Sequence, residues 1–165
     1  MPTPALIVRQ EGNNAHTHPF VSVYEAYKKS GPNVLGVEAL QGDDGCTGVK
    51  VNTADGYADY LFSATDMQAH HPSKRVSFCG GLGLIREKEG QIQLMYLGCG
   101  RSLKKGNFVL ESDHDVYAAI YMQHGVWYYS ATGPVRVKIG KETKELNEGY
   151  NQNYNFLCIL IHRRD

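Results

Sequence analysis

The sequence lacks an apolar run that approaches the roughly 18 residues of a membrane-spanning helix. It lacks net charge as well: Lys+Arg and Asp+Glu number 17 each. That balance argues against a nucleic-acid or anionic-membrane partner held by bulk electrostatics, and it removes one protection against self-association. The opening "MPTPALIVRQEGNN" has no basic n-region and too short an apolar stretch for a signal peptide. The chain is therefore expected to be cytoplasmic, or else a mature domain or fragment of something larger. Cysteine is sparse, at 4 in 165 residues, and no two of Cys46, Cys79, Cys99 and Cys158 stand at C-x-x-C spacing. A zinc knuckle and a thioredoxin-like redox motif are both unsupported. Cys79 and Cys158 sit in apolar runs and read as buried free thiols. The sequence has no nucleophile elbow, zincin helix or P-loop, and no pair of acids spaced as a glycosidase couple. Helical patterning is equally scarce. "ATDMQAHHPSKR" (Ala64 to Arg75) is the one polar stretch long enough for a helical turn, and Pro72 limits it, so it reads as the longest loop.

What is present is strand after strand. "PFVSVYEAYK", "NVLGVEAL", "TGVKVNTA" and "YADYLFSA" are separated by "SGPN", "QGDDG" and "ADG". "RVSFCG", "GLGLIREKEG", "QIQLMYLGCG", "NFVLES", "DVYAAIYMQHGVWYYSA", "PVRVKIG" and "NFLCILIHR" follow. These runs favour Val, Ile, Tyr and Phe, with turn chemistry between them, which is the pattern of an all-β sandwich or barrel. "KEGQ" and "MQHG" are expected to be hairpin turns. The expected fold is an antiparallel β-sandwich of roughly 10–13 short strands with little or no helix, forming one domain over residues 1–165. A chain of this length buries about two-thirds of its unfolded surface, so it needs neither disulfide nor metal to fold.

Four features invite a functional reading. His16 and His18 form a His-x-His pair, and side chains two apart on a strand share a face. With a third ligand from "SDHD", Asp113 for instance, they would make a divalent metal site for zinc or a similar ion. Their turn-like neighbours Asn13, Asn14, Thr17 and Pro19 favour solvated histidines instead. His70 and His71 are adjacent, point opposite ways on extended backbone, and read as surface loop residues. "GGLGLIRE" contains Gly-x-Gly, but apolar alternation and a turn follow it where a dinucleotide site needs a helix. The aromatic load is heavier: eleven Tyr, five Phe and one Trp. "VWYYS" sets Trp127 and Tyr129 on one face and Tyr128 on the other. Tyrosine, with an apolar body and a polar tip, suits a half-exposed face that either packs or stacks on sugar rings.

At "VRQEG", "HPFVSVYEAYKK" and "VLGVEAL" the chain resembles the C-terminal β-sandwich of heparinase II/III-type polysaccharide lyases. Phe20, Val21, Ser22, Val23, Glu25, Tyr27 and Lys28 fit that family's strand, while Ala26 stands where the family often has Pro. "DGYADYLFSA" resembles the strand before its long loop, "VSFCGGLGLIRE" its Gly-centred hairpin, and "GPVRVKIG" one of its last strands. The resemblance implies a module of a larger periplasmic or secreted lyase, which would cleave uronate polymers such as alginate or glycosaminoglycans by β-elimination. The family's catalytic Tyr and His lie before the resembling segment, so the resemblance carries no catalytic residue over.

These observations converge on a non-catalytic β-sandwich module that supports a catalytic toroid domain or contacts acidic polysaccharide. Lys28, Lys29, Arg101, Lys104 and Lys105 would meet carboxylates or sulfates, with Tyr24, Tyr27 or Trp127 stacking on the sugar. Two alternatives stand beside it. One is a small cupin-like metal enzyme using His16, His18 and Asp113. The other is a structural module that forms a homodimer through an edge strand.

Overall fold

A computed structural model describes residues 21–25, 31–40, 45–72 and 76–154, with the backbone alone for 151–154. It holds eleven strands: β1 (Val34–Leu40), β2 (Cys46–Thr53), β3 (Tyr57–Ala64), β4 (His71–Pro72), β5 (Ser77–Lys88), β6 (Gln91–Lys105), β7 (Phe108–Gln123), β8 (Val126–Ala131), β9 (Val135–Ile139), β10 (Glu142–Leu146) and β11 (Gly149–Tyr154). Every pairing is antiparallel, and no helix occurs among the described residues. The all-β expectation holds.

The strands are not all short. β5, β6 and β7 run for 12, 15 and 16 residues. "RVSFCG" and "GLGLIREKEG" therefore belong to one strand, and so do "NFVLES" and "DVYAAIYMQ". All three bend at one place. The β5–β6 register shifts between Cys79 and Gly80, and the β6–β7 register shifts on both sides of Gly100. Gly100 pairs with Val116 and Ser102 pairs with Glu111, so "SDHD" is extra chain looped out as a bulge in mid-strand. Cys99 beside it takes a left-handed φ of 48°. Bulges of this kind turn a sheet corner.

The bend makes two layers. The C-terminal half of β7 pairs with β8 (Ala118 to Ala131), while its N-terminal half pairs with β9 (Phe108 to Ile139). The first layer runs β1-β2-β3-β5-β6-β7-β8-β11. The second is made by β4, the near halves of β5, β6 and β7, and then β9 and β10. Alternate residues from both layers meet in one core. Tyr60, Phe62, Ile85, Met95, Leu97, Ile120 and Trp127 come from the first, and Phe78, Leu103, Leu110, Val137 and Leu146 from the second. The Phe62 and Phe78 rings bridge them at 5.9 Å between centroids. Burial of these apolar side chains is the main force holding the layers together.

Both predicted hairpins form. Glu89 (φ 51°) and Gly90 (φ 75°) join Lys88 to Gln91, and His124 (φ 50°) and Gly125 (φ 78°) join Gln123 to Val126. Two successive positive φ values are the signature of the type I′ turn, whose twist matches that of the strands.

Candidate functional site

The residues expected to grip a polysaccharide do not form one site. Tyr27, Lys28, Lys29, His16 and His18 lie outside the described residues. Tyr24 is 86% exposed. It sits in 21–25, which carries no strand although the alternation of "PFVSVYEAYK" reads as one. The Glu25 carboxylate there accepts hydrogen bonds from the backbone N–H groups of Asn33 (2.6 Å) and Val34 (3.0 Å), tying this segment to the start of β1. Trp127, expected as a stacking platform, is only 3% exposed and belongs to the core. An indole enclosed by protein offers no face to a sugar. His71, expected on the surface, is buried too: from β4 it pairs with Phe78 on β5, and its ring lies 6.4 Å from that phenyl. His70 does point out, opposing its neighbour as expected, and meets Ser77 Oγ at 3.0 Å. Cys79 is a buried free thiol, as expected.

The three described cations of the expected set are each already engaged. Arg101 Nε donates to Asp115 Oδ1 at 2.9 Å, and Gln68 Nε2 donates to the other oxygen of that carboxylate. Lys104 pairs with Glu111 at 3.0 Å. Lys105 pairs with Glu87, which also accepts from the Tyr60 hydroxyl at 2.8 Å. Lys105 sits within 4.3 Å of the Tyr60 ring centroid. A cleft of about 420 Å³ opens beside the "SDHD" bulge, lined by Arg101, Ser102, Glu111, Asp113, His114 and Arg136 among others. Arg136 bridges Glu111 (3.1 Å) and Glu145 (2.6 Å). Around the cleft, the carboxylates of Glu111, Asp113, Asp115 and Glu145 match or exceed the cations Arg101, Lys104 and Arg136. Such a balance does not attract a polyanion. Among the described residues no group of three His, Cys, Asp or Glu side chains is arranged to hold a metal ion.

The acids respond to these pairings. Burial pushes the Glu87 carboxyl up, but hydrogen bonds from Lys105 and Tyr60 and the charges of Lys105 and Lys50 outweigh it and hold it below its ordinary 4.5. Glu111 behaves likewise: burial raises it, and Lys104 and Arg136 bring it below 4.5. A carboxyl with a lowered folded-state pKa contributes stability that is present above its unfolded value and lost as pH falls through the folded one. Urea unfolding across pH should therefore show stability falling below about pH 4.5, and Glu87→Gln should flatten part of that slope while lowering stability at neutral pH.

Sequence reasoning missed a different feature, the outer face of the first layer. Tyr60, Phe62, Ile85 and Ile120 point into the core, so their neighbours point out. Cross-strand register lines those neighbours up as Ala39–Val49–Leu61–Leu84–Tyr96–Ala119, from β1 to β7. Next to it run Val37–Val51–Asp59–Arg86–Leu94–Tyr121–Tyr128. Arg86 and Asp59 form a two-pronged ion pair at 2.7 Å in this row, and the Tyr121 and Tyr128 rings stack at 5.6 Å. Val49 and Val51 are buried yet stand outside the core cluster, while Val37 and Leu82 are about half exposed at 50% and 46%. The outer face of the second layer is the reverse: Lys104, Glu111, Arg136, Lys138, Thr143 and Glu145, laced by ion pairs.

A family model described as the endo-acting ulvan lyase C-terminal domain matches residues 34–122, more than half of the chain. An endo-acting ulvan lyase of Formosa agariphila is 34% identical over 118 residues, covering 68% of this chain and 14% of the relative. The chain thus spans 14% of the length of that relative. No solved structure matches.

Proposed function

From the premise that this chain belongs to the endo-acting ulvan lyase C-terminal domain family, we propose that it is a non-catalytic module supporting the catalytic part of a lyase that acts on an acidic polysaccharide. The observation that carries this reading is the state of five cations among the described residues. Arg86, Arg101, Lys104, Lys105 and Arg136 each hold a carboxylate of the same chain. These charges are spent on structure, whereas a polyanion site leaves cations unpaired toward the ligand. The finer resemblance to heparinase II/III-type lyases rests on Phe20–Lys28, ahead of the matched residues 34–122, and is part of the same proposal, as is a location outside the cytoplasm.

The test is twofold. Incubated alone with ulvan, alginate, heparin or chondroitin sulfate, the chain should release no unsaturated uronate, read by ultraviolet absorbance. In affinity electrophoresis through the same polymers its migration should be unchanged. Eliminated product would overturn the non-catalytic reading. Retardation on one polymer would replace support by polysaccharide contact.

A further inference from the structure

We propose that Met67 is an oxidation site that latches the loop 65–70 over the buried thiol of Cys79. Hydrogen peroxide converts its thioether to the sulfoxide, and the loop then uncovers Cys79. The sulfur lone pair takes one peroxide oxygen: an S–O bond forms, the O–O bond breaks and water leaves. Sulfur is oxidised by two electrons, and peroxide is reduced by the same two. The chain has four methionines. Of the three described, Met95 is fully buried and Met122 packs against the core, while Met67 is 42% exposed. A dissolved oxidant therefore reaches Met67 first, since susceptibility follows exposure.

The side chain and the backbone of Met67 hold two different things. The side chain fills the space above Gly81 on β5: a Cβ there would meet Met67 Sδ at 3.1 Å and Cγ at 3.3 Å. The carbonyls of Met67 and Gln68 accept hydrogen bonds from Cys79 Sγ at 3.6 and 3.5 Å. One residue thus seats the loop on β5 and helps to cap the thiol. Around it, Asp66 Oδ1 accepts from the backbone N–H groups of Gln68 (2.9 Å) and Ala69 (3.3 Å). Gln68 Nε2 reaches Asp115 at 2.9 Å. A thiol is a weak donor, so the apolar seat over Gly81 matters to the closure. Oxidation makes that side chain polar. A polar group packed without a hydrogen-bond partner costs free energy, which favours water over the seat on Gly81. Burial pushes the Cys79 thiol up, so it stays protonated and inert while the loop is closed. Freed of that burial it ionises more readily and reacts.

The experiment treats this chain with hydrogen peroxide and follows it by peptide mapping and by timed N-ethylmaleimide labelling of Cys79. Met67 should gain one oxygen before Met95 or Met122 does. Labelling of Cys79 should then run at least about tenfold faster than in untreated protein. That rate should depend little on urea, because a local opening exposes little surface. Methionine sulfoxide reductase should restore the slow rate. Met67→Leu keeps an apolar side chain of similar volume, and in it peroxide should leave the Cys79 rate unchanged. Oxidised Met67 with no change at Cys79 overturns the latch, and so does equal acceleration in Met67→Leu. A Cys79 rate that climbs with urea as steeply as global unfolding also overturns it, because the whole fold would then be opening.

Discussion

Replacing Gly100 by alanine is expected to cost about 3 kcal/mol of stability, the upper range for forcing atoms into a filled site. The reason is where β5 and β6 cross at the bend. A Cβ on Gly100 would lie 2.6 Å from the Cys79 carbonyl oxygen, 2.7 Å from Gly80 Cα and 2.7 Å from Leu97 Cδ1. Two of these three atoms are backbone, so no rotamer change clears the space. The strands would have to part, and the parting would open the core between Phe78 and Leu97, both fully buried. Chemical denaturation reads the loss directly. The control is Gly106→Ala in the β6–β7 turn, where a Cβ meets nothing within 4 Å but the φ of 58° strains a side chain; it should cost about 1 kcal/mol. Similar losses at the two positions would mean that the close approach at the bend does not limit the fold.

Gly100 also shows why part of the architecture was hidden in the sequence. "FCGG" and "GCGR" look like breaks between strands, because glycine usually punctuates. Gly80 and Gly100 are instead the positions that let two continuous strands touch at a corner, and glycine is chosen for close backbone approach. The hairpins at "KEGQ" and "MQHG" were legible because a type I′ turn depends on two adjacent residues alone. The cation partners were not: Arg101 finds Asp115, Lys104 finds Glu111 and Lys105 finds Glu87 only after β5, β6 and β7 have paired. The apolar outer face was hidden for another reason. Alternation tells which residues share a face, but inside is told from outside by polarity, and that signal disappears when both faces are apolar. In "VWYYS" the split of Trp127 and Tyr129 from Tyr128 was readable, and the direction of each set was not. His71 and His70 repeat the case: their opposition was readable, and the inward turn of His71 was not.

Trp127→Ala carries the other large effect and discriminates between the two roles open to that residue. As a sugar platform the indole would project from the surface, and its loss would abolish binding while leaving unfolding unchanged. As the structure has it, Trp127 is 3% exposed within the cluster that includes Met95, Ile120 and Tyr129. It opposes Met122 on β7 and Tyr154 on β11, so its removal leaves a cavity in the first layer next to the last described strand. The expected cost is about 3–5 kcal/mol, as for other buried aromatic truncations. Since a domain is stabilised by only about 5–15 kcal/mol, the variant should melt far below the unchanged protein or fail to fold at ambient temperature. Trp127→Phe keeps most of the volume and should fall between the two. Tyr117→Ala removes an aromatic ring that is 54% exposed and should stay within about 0.5 kcal/mol. A Trp127→Ala protein as stable as Tyr117→Ala would contradict the packing of β8. The expected ordering makes Trp127 part of the core side of β8, behind the stacked Tyr121–Tyr128 pair that its neighbours carry on the other face.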